Sequence, residues 1–236
     1  MTTPLIHLSA IVKSYPAPQP LRIAELVVEP SDRIVLSGLD EGAAEMFVHL
    51  VTGAALPDEG VVSIAGRDTR AISTDTEWLR SLDQFGIVTR RAVLLETLSV
   101  AANLALPLTL SIEPMAADVR ARVEQDAGDV GLRSDRLDGP VNALSELDRL
   151  RLHLARAAAN TPRLILLEHP TAALDQKADS RAFGETLRTF SNARAFGWIA
   201  ISNDQEFAKA TGGRRVRLEM GKLKESGGLL SRLGWR

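Results

Sequence analysis

The run Arg163–Leu167, RLILL, constrains the fold more than any other stretch of the chain. After its basic start, four consecutive apolar residues leave no polar face to turn toward water. A strand made of them is buried on both faces, as in a parallel sheet flanked by helices. The apolar strand Arg33–Ser37 is closed by Gly38. In the following helix, Ala43–Val51, Met46, Phe47, Leu50 and Val51 lie on one apolar side. Arg33–Val51 is therefore strand, glycine loop and helix, the frame of a phosphate-binding unit. A helix over Gln176–Phe190 and a strand over Gly197–Ser202 continue the α/β pattern.

Strand periodicity also appears at Ile6, Leu8, Ala10 and Val12, and further strands are expected at Glu25–Val28 and Gly60–Ala65. Thr74–Leu82 reads as a short helix. From Ser99 to Ala158 the pattern turns helical, punctuated by Pro107, Pro114 and Gly139-Pro140. The order is a β-rich start, an α/β core, a helical insertion and a return to the core, with no internal repeat. A chain of 236 residues has room for one domain with an inserted subdomain. Its net charge of -2 gives no bulk attraction to nucleic acid or membrane. The absence of cysteine excludes disulfides, thiolate metal sites and cysteine nucleophiles. The start, MTTPLIHLSAIVKSYP, lacks a basic-then-apolar signal pattern, and no apolar stretch is long enough to span a bilayer.

Arg163–Asp175, RLILLEHPTAALD, resembles the Walker B strand and D-loop of ATP-binding-cassette (ABC) ATPases, usually hhhhDEPTSALD with h apolar. Other landmarks agree in order. LARAAANTP resembles the helix and turn before Walker B, and PDEGVVSIAGRD (Pro57–Asp68) the early hairpin. FGIVTRRAVLLETLSV (Phe85–Val100) is similar to the Q-loop region, and VRLEMGKL (Val216–Leu223) to the closing strand and turn. Tyr15 stands where the family has an aromatic that stacks on adenine. The resemblance covers nearly the whole chain and is nearest in flavour to the ATPases of lipoprotein and lipid exporters. It implies an α/β, P-loop-NTPase-like ABC core with an N-terminal antiparallel β-subdomain and an inserted helical subdomain. Residues 1–90 and 159–224 would form the core with its β-subdomain, 91–158 the helical part and 225–236 a tail.

The family's reaction residues are altered together. The phosphate loop GxxGxGK[ST] becomes GLDEGAAEM, Gly38–Met46. Gly38 matches and Gly42 is displaced by one position. Ala44 stands for the phosphate-binding Lys and Glu45 for the Mg²⁺-binding hydroxyl, with Asp40 and Glu41 adding acids. A carboxylate ~5 Å from a phosphate repels it by ~3 kcal/mol at an effective dielectric of ~20, which opposes the pull of the helix dipole. These acids also suit a plain helix start. Glu168 replaces the Walker B Asp, His169 the water-polarising Glu, Arg90 the Q-loop Gln and Asn203 the switch His. The signature LSGGQ becomes LSELD, Leu144–Asp148, which reads like a capping box.

The resemblance implies expectations for both the site and the function. No residue is expected to be catalytic, although His169 has the chemistry of a base. Tyr15, Gly38 and Gly42 remain as nucleotide contacts. In place of a metal, the Arg90 guanidinium is expected between Glu45 and Glu168, where Arg suits bidentate carboxylate contact; the alternative is that Arg90 points to solvent. The leading functional expectation is a pseudo-ATPase without cofactor. Its partners would be a membrane permease, an active ABC ATPase or a second copy, and its place the cytoplasm or the inner face of the membrane. The rival is a slow or nonstandard ATPase using Mg-ATP, Glu168 and His169. A nucleic-acid role has no basic stripe to support it. His7, His49 and His153 lack metal-site spacing, and Trp78 and Trp198 are expected to pack. The tail Leu229–Arg236 is either a membrane or partner contact or a frayed end.

Overall fold

The structure, a computed structural model, describes residues 3–225. In chain order the elements are β1 (Ile6–Lys13), β2 (Leu21–Val28), β3 (Arg33–Ser37), α1 (Glu41–Thr52), β4 (Glu59–Ile64), β5 (Arg67–Asp68), α2 (Asp75–Leu82), β6 (Phe85–Val88), α3 (Val100–Ala105), α4 (Ala117–Asp129), α5 (Glu146–Ala158), β7 (Leu164–Glu168), α6 (Lys177–Arg194), β8 (Gly197–Ile201), α7 (Gln205–Thr211), β9 (Arg214–Glu219) and β10 (Lys222–Glu225).

The strands make two sheets. One is antiparallel, in the order β2-β1-β4-β5. The other runs β10-β9-β3-β8-β7-β6 and is parallel except for the edge strand β10. Every residue of β7 is buried, and the pleat divides them between two cores. Ile165 and Leu167 join the core built with α3, α4, α5 and α6. Leu164 and Leu166 join the core built with α1 and the antiparallel sheet. Thus a run with no polar face becomes the partition between two hydrophobic layers. Trp198 in β8 is fully buried.

Three strands depart from the sequence expectation. In β1 the alternation slips at a bulge after Ser9, so Ile11 is buried while Ala10, with φ +52°, is exposed. β2 begins at Leu21 rather than Glu25, because Leu21 and Ile23 are buried while Arg22 and Ala24 face out. The Ala24 amide there donates to the Gly221 carbonyl beside β10 (2.7 Å). β6 is a strand that the sequence pattern does not announce. Its Gly86 breaks the apolar pattern because a Cβ there would lie 2.2 Å from the Ala157 carbonyl oxygen at the end of α5. Among the described residues, no helix is long and apolar enough to cross a membrane. The tail at 226–236, and with it any role for Leu229–Arg236, lies outside the described residues.

The helical part is tied to α6 by a charge cluster. Asp126 of α4 is buried and takes Arg122 at 2.9 Å and Arg194 at 2.6 Å. Arg194 also reaches Asp129, and its guanidinium lies over the Phe190 ring at 5.6 Å. A buried carboxylate needs such partners to offset its lost hydration.

Candidate functional site

Between β3 and α1 the chain turns in three residues, Gly38, Leu39 and Asp40. Gly38 has φ +91°, and a Cβ on it would sit 2.4 Å from the Leu218 carbonyl oxygen of β9, so only glycine fits. Asn203, just beyond β8, clamps this turn. Its side-chain oxygen accepts from the Gly38 amide (3.0 Å), and its side-chain nitrogen donates to the Leu39 carbonyl (3.2 Å). Asp40 is the N-cap of α1. Its carboxylate accepts from the Ala43 amide at 2.8 Å, and its carbonyl accepts from the Ala44 amide at 2.9 Å. The second is the ordinary first bond of the helix; the first takes one of the amides that a helix start could offer an anion, that of Ala43.

Tyr15 lies over the first turn of α1. A Cβ on Gly42 would be 3.1 Å from the ring's Cε2, so the missing side chain makes room for the aromatic ring. Burial, and then the Asp40 charge, raise the Tyr15 phenol above its ordinary value of 10.0. Tyr15, Gly38 and Gly42 are thus close together, and each has a partner inside the chain.

The expected bridge between Glu45 and Glu168 exists, but its cation is Arg91 and not Arg90. Arg91 makes two bonds to Glu168, Nη1 to Oε1 at 3.1 Å and Nη2 to Oε2 at 2.6 Å. Its Nη1 also lies 3.2 Å from Glu45 Oε1. Arg90 instead pairs with Glu41 at 3.2 Å, on the outside. The reason is local. β6 ends at Val88, and the Ala92 amide closes a turn on the Thr89 carbonyl (3.1 Å), which sends the neighbouring side chains of Arg90 and Arg91 to different sides. Arg90 is the expected cation only from its match to the Q-loop Gln, and a turn without periodicity does not show which of two neighbouring arginines faces the site. The Glu168 side chain is only 6% exposed, whereas Arg91 is 45% exposed. Arg90 and Arg91 thus take up Glu41, Glu45 and Glu168, while Asp40 has only its cap bond to the Ala43 amide.

His169 follows β7 with φ +40°, an unfavourable conformation for a residue with a Cβ. Its amide donates to the Ile201 carbonyl (2.9 Å), which helps to hold it there. The imidazole Nε2 points at the Asp40 carbonyl oxygen, 3.4 Å away. A carbonyl can only accept, so this contact favours the tautomer with Nε2 protonated and removes that nitrogen as a base. Thr171 is buried and donates to Asp204 (2.9 Å), whose carboxylate caps α7. This ties the PTAALD stretch to the turn that carries Asn203. At the start of α5, Ser145 caps the helix by accepting from the Asp148 amide (3.1 Å). The reciprocal half of a capping box is not made; Asp148 instead takes Arg151 at 2.9 Å.

A groove of about 330 Å³ opens beside Glu168, between residues 88–96, the start of α5 and the Pro170–Leu174 stretch. Arg149 and His153 of α5 line it. At its rim Val93 is 70% exposed. A second cleft, of about 450 Å³, lies by Tyr15 and is lined by Arg22, Gly38, Asp40 and Met220 among others.

Residues 45–172 match a family described as ABC transporter. The chain is 32% identical over 201 residues to the lipoprotein-releasing system ATP-binding protein LolD of Gluconobacter oxydans, covering 85% of each chain. It is 27% identical over 220 residues to the macrolide export ATP-binding/permease protein MacB of Burkholderia cenocepacia, spanning 92% of this chain and 31% of that one. Among solved structures, a dimeric MJ0796, described as a bacterial ABC transporter cassette, superposes with a TM-score of 0.73 at 22% identity. That match covers 95% of this chain and all of the other.

Proposed function

Because this chain belongs to the ABC transporter family of ATP-binding subunits, we propose that it is a member that does not hydrolyse ATP and serves as a structural or regulatory subunit. The observation that carries this reading is the Arg91 guanidinium between Glu45 and Glu168. These two carboxylates stand at positions where the family places metal ligands. A bidentate Arg pair satisfies Glu168 without a metal. The phosphate side is equally ill suited. Ala44 offers no cation, Asp40 takes the Ala43 amide, and the carboxylates of Asp40, Glu41 and Glu45 at the start of α1 repel a polyphosphate. The residues present do not fit Mg-ATP, and His169 turns Nε2 away toward a backbone carbonyl.

The names of the relatives support the partner reading. One is named as an ATP-binding protein of a lipoprotein-releasing system, and another joins an ATP-binding part and a permease in one chain. This chain would act at the cytoplasmic face of a membrane, with residues 91–158 as its helical part. It would dock to a permease, and pair with an active ABC ATPase or a second copy. Titration calorimetry with Mg-ATP tests the reading. No binding tighter than about 1 mM is expected, a free energy weaker than about 4 kcal/mol, and no phosphate release above background.

One observation favours a second reading. The 450 Å³ cleft beside Tyr15 could admit a nucleotide through its base, leaving a weak ATP-binding subunit. Micromolar binding that disappears in Tyr15→Ala would establish that reading in place of the first.

A further inference from the structure

The 450 Å³ cleft by Tyr15 has walls of mixed chemistry. Tyr15 supplies a flat ring, and Pro18, Pro20 and Met220 supply apolar surface. Met220 is fully exposed at the turn between β9 and β10. Asp40 is the one carboxylate among the lining residues. A Cβ on Gly42 would lie 3.1 Å from the Tyr15 ring and 3.7 Å from Asp40 Oδ1, so ring and carboxylate stand side by side. The lining guanidinium is that of Arg22, whose Cβ would be 3.1 Å from a Cβ on Gly221, at the β9–β10 turn. A ring next to a carboxylate suits a partner with a second ring next to a cation.

The chain carries such a pair within reach. β10 ends at Glu225, opposite Val216 and four residues, or about 13 Å, from Gly221 at the cleft wall. Residues 226–236 read SGGLLSRLGWR. Ser226, Gly227 and Gly228 are turn residues, and they fall where a chain leaving β10 must reverse to come back to the cleft. The eight residues beyond them span up to roughly 26–29 Å when extended, about twice the distance needed. They carry Trp235 next to Arg236, three leucines and no acid.

We propose that residues 229–236 occupy the cleft of their own chain, with the Trp235 indole against Tyr15, Pro18 and Pro20 and the Arg236 guanidinium on Asp40. Tethering makes this contact effective. A linked segment acts at a concentration on the order of millimolar, so a contact too weak to join two separate molecules suffices within one. Arg236 gives the Asp40 carboxylate a cation, which its bond to the Ala43 amide does not. The indole takes the room that a nucleotide base would need. The proposal therefore rests on the reading that Mg-ATP does not hold this site, and it gives the site a resident from the chain itself.

The absence of cysteine allows a direct test on the full chain. Gln19→Cys, at an exposed residue of the cleft wall, is combined with Gly234→Cys, and disulfide formation is followed without nucleotide by gel electrophoresis. The comparison pair is Glu25→Cys with Gly234→Cys. Glu25 is exposed on β2 next to Ala24, which is bonded to Gly221, so it lies near the same turn but outside the cleft. The cleft pair is expected to close within one chain at least about tenfold faster than the comparison pair. Adding Trp235→Ala and Arg236→Ala is expected to slow it to the comparison rate. Equal rates for the two pairs, a bond formed mainly between chains, or a rate untouched by the two alanines overturns the proposal. Each of these results leaves the Mg-ATP titration as it was, so failure here is distinct from failure of the non-hydrolysing reading.

Discussion

At the residue scale, single side chains do work that their family positions do not announce. Gly38 is one. Its positive φ and the Leu218 carbonyl leave no place for a Cβ, so Gly38→Ala is expected to destabilise the chain by roughly 1–3 kcal/mol from the backbone alone, with more from the overlap. Chemical denaturation measures this. His153 is another. Burial, and then Arg156 and Arg149, push its imidazole down from 6.5 to about 4. Between those pH values the unfolded chain binds a proton that the folded chain refuses. Stability therefore falls as pH drops through that window, and this residue adds no further change above it. His153→Gln should flatten the part of the melting-temperature profile between about pH 6.5 and 4. The sequence placed Glu45, Glu168, Asn203 and Tyr15 in one site from their motif positions. It could not show that Asn203 grips the Gly38–Leu39 backbone. That contact depends on two turns lying side by side, 165 residues apart for the amide bond.

At the scale of elements, strong patterns were legible and interrupted ones were not. The RLILL run gave β7 almost residue for residue, and α1 was read from its apolar side. β6 stayed hidden because Gly86 is demanded by the Ala157 carbonyl rather than by the strand. The charge cluster between α4 and α6 was equally invisible, since Asp126 and Arg194 lie far apart in sequence and become neighbours only when the helices pack. Arg194→Ala strips partners from Asp126 and Asp129 and is expected to cost about 2–4 kcal/mol. Adding Asp126→Asn should recover part of that loss, and a double-mutant cycle measures the coupling. Full additivity of the two substitutions would show that the pair contributes nothing.

At the scale of the whole molecule, the central sheet makes the two cores interdependent. β7 sends Ile165 and Leu167 to one and Leu164 and Leu166 to the other; β8 likewise sends Trp198 and Ala200 one way and Ile199 and Ile201 the other. Neither layer can come apart without stripping a face from the same strands. Thermal unfolding followed by far-ultraviolet dichroism, and by near-ultraviolet dichroism sensitive to the packing of Trp198, should therefore give coincident single transitions. Two separated transitions would mean that the helical part melts alone. The ring lying over Gly42 has a practical side as well. It belongs to the only tyrosine in the chain, so uniform incorporation of fluorotyrosine gives one resonance that needs no assignment. Its frequency reads the aromatic's contact with the first turn of α1, and a titration with nucleotide, metal or a membrane partner becomes a one-line spectrum.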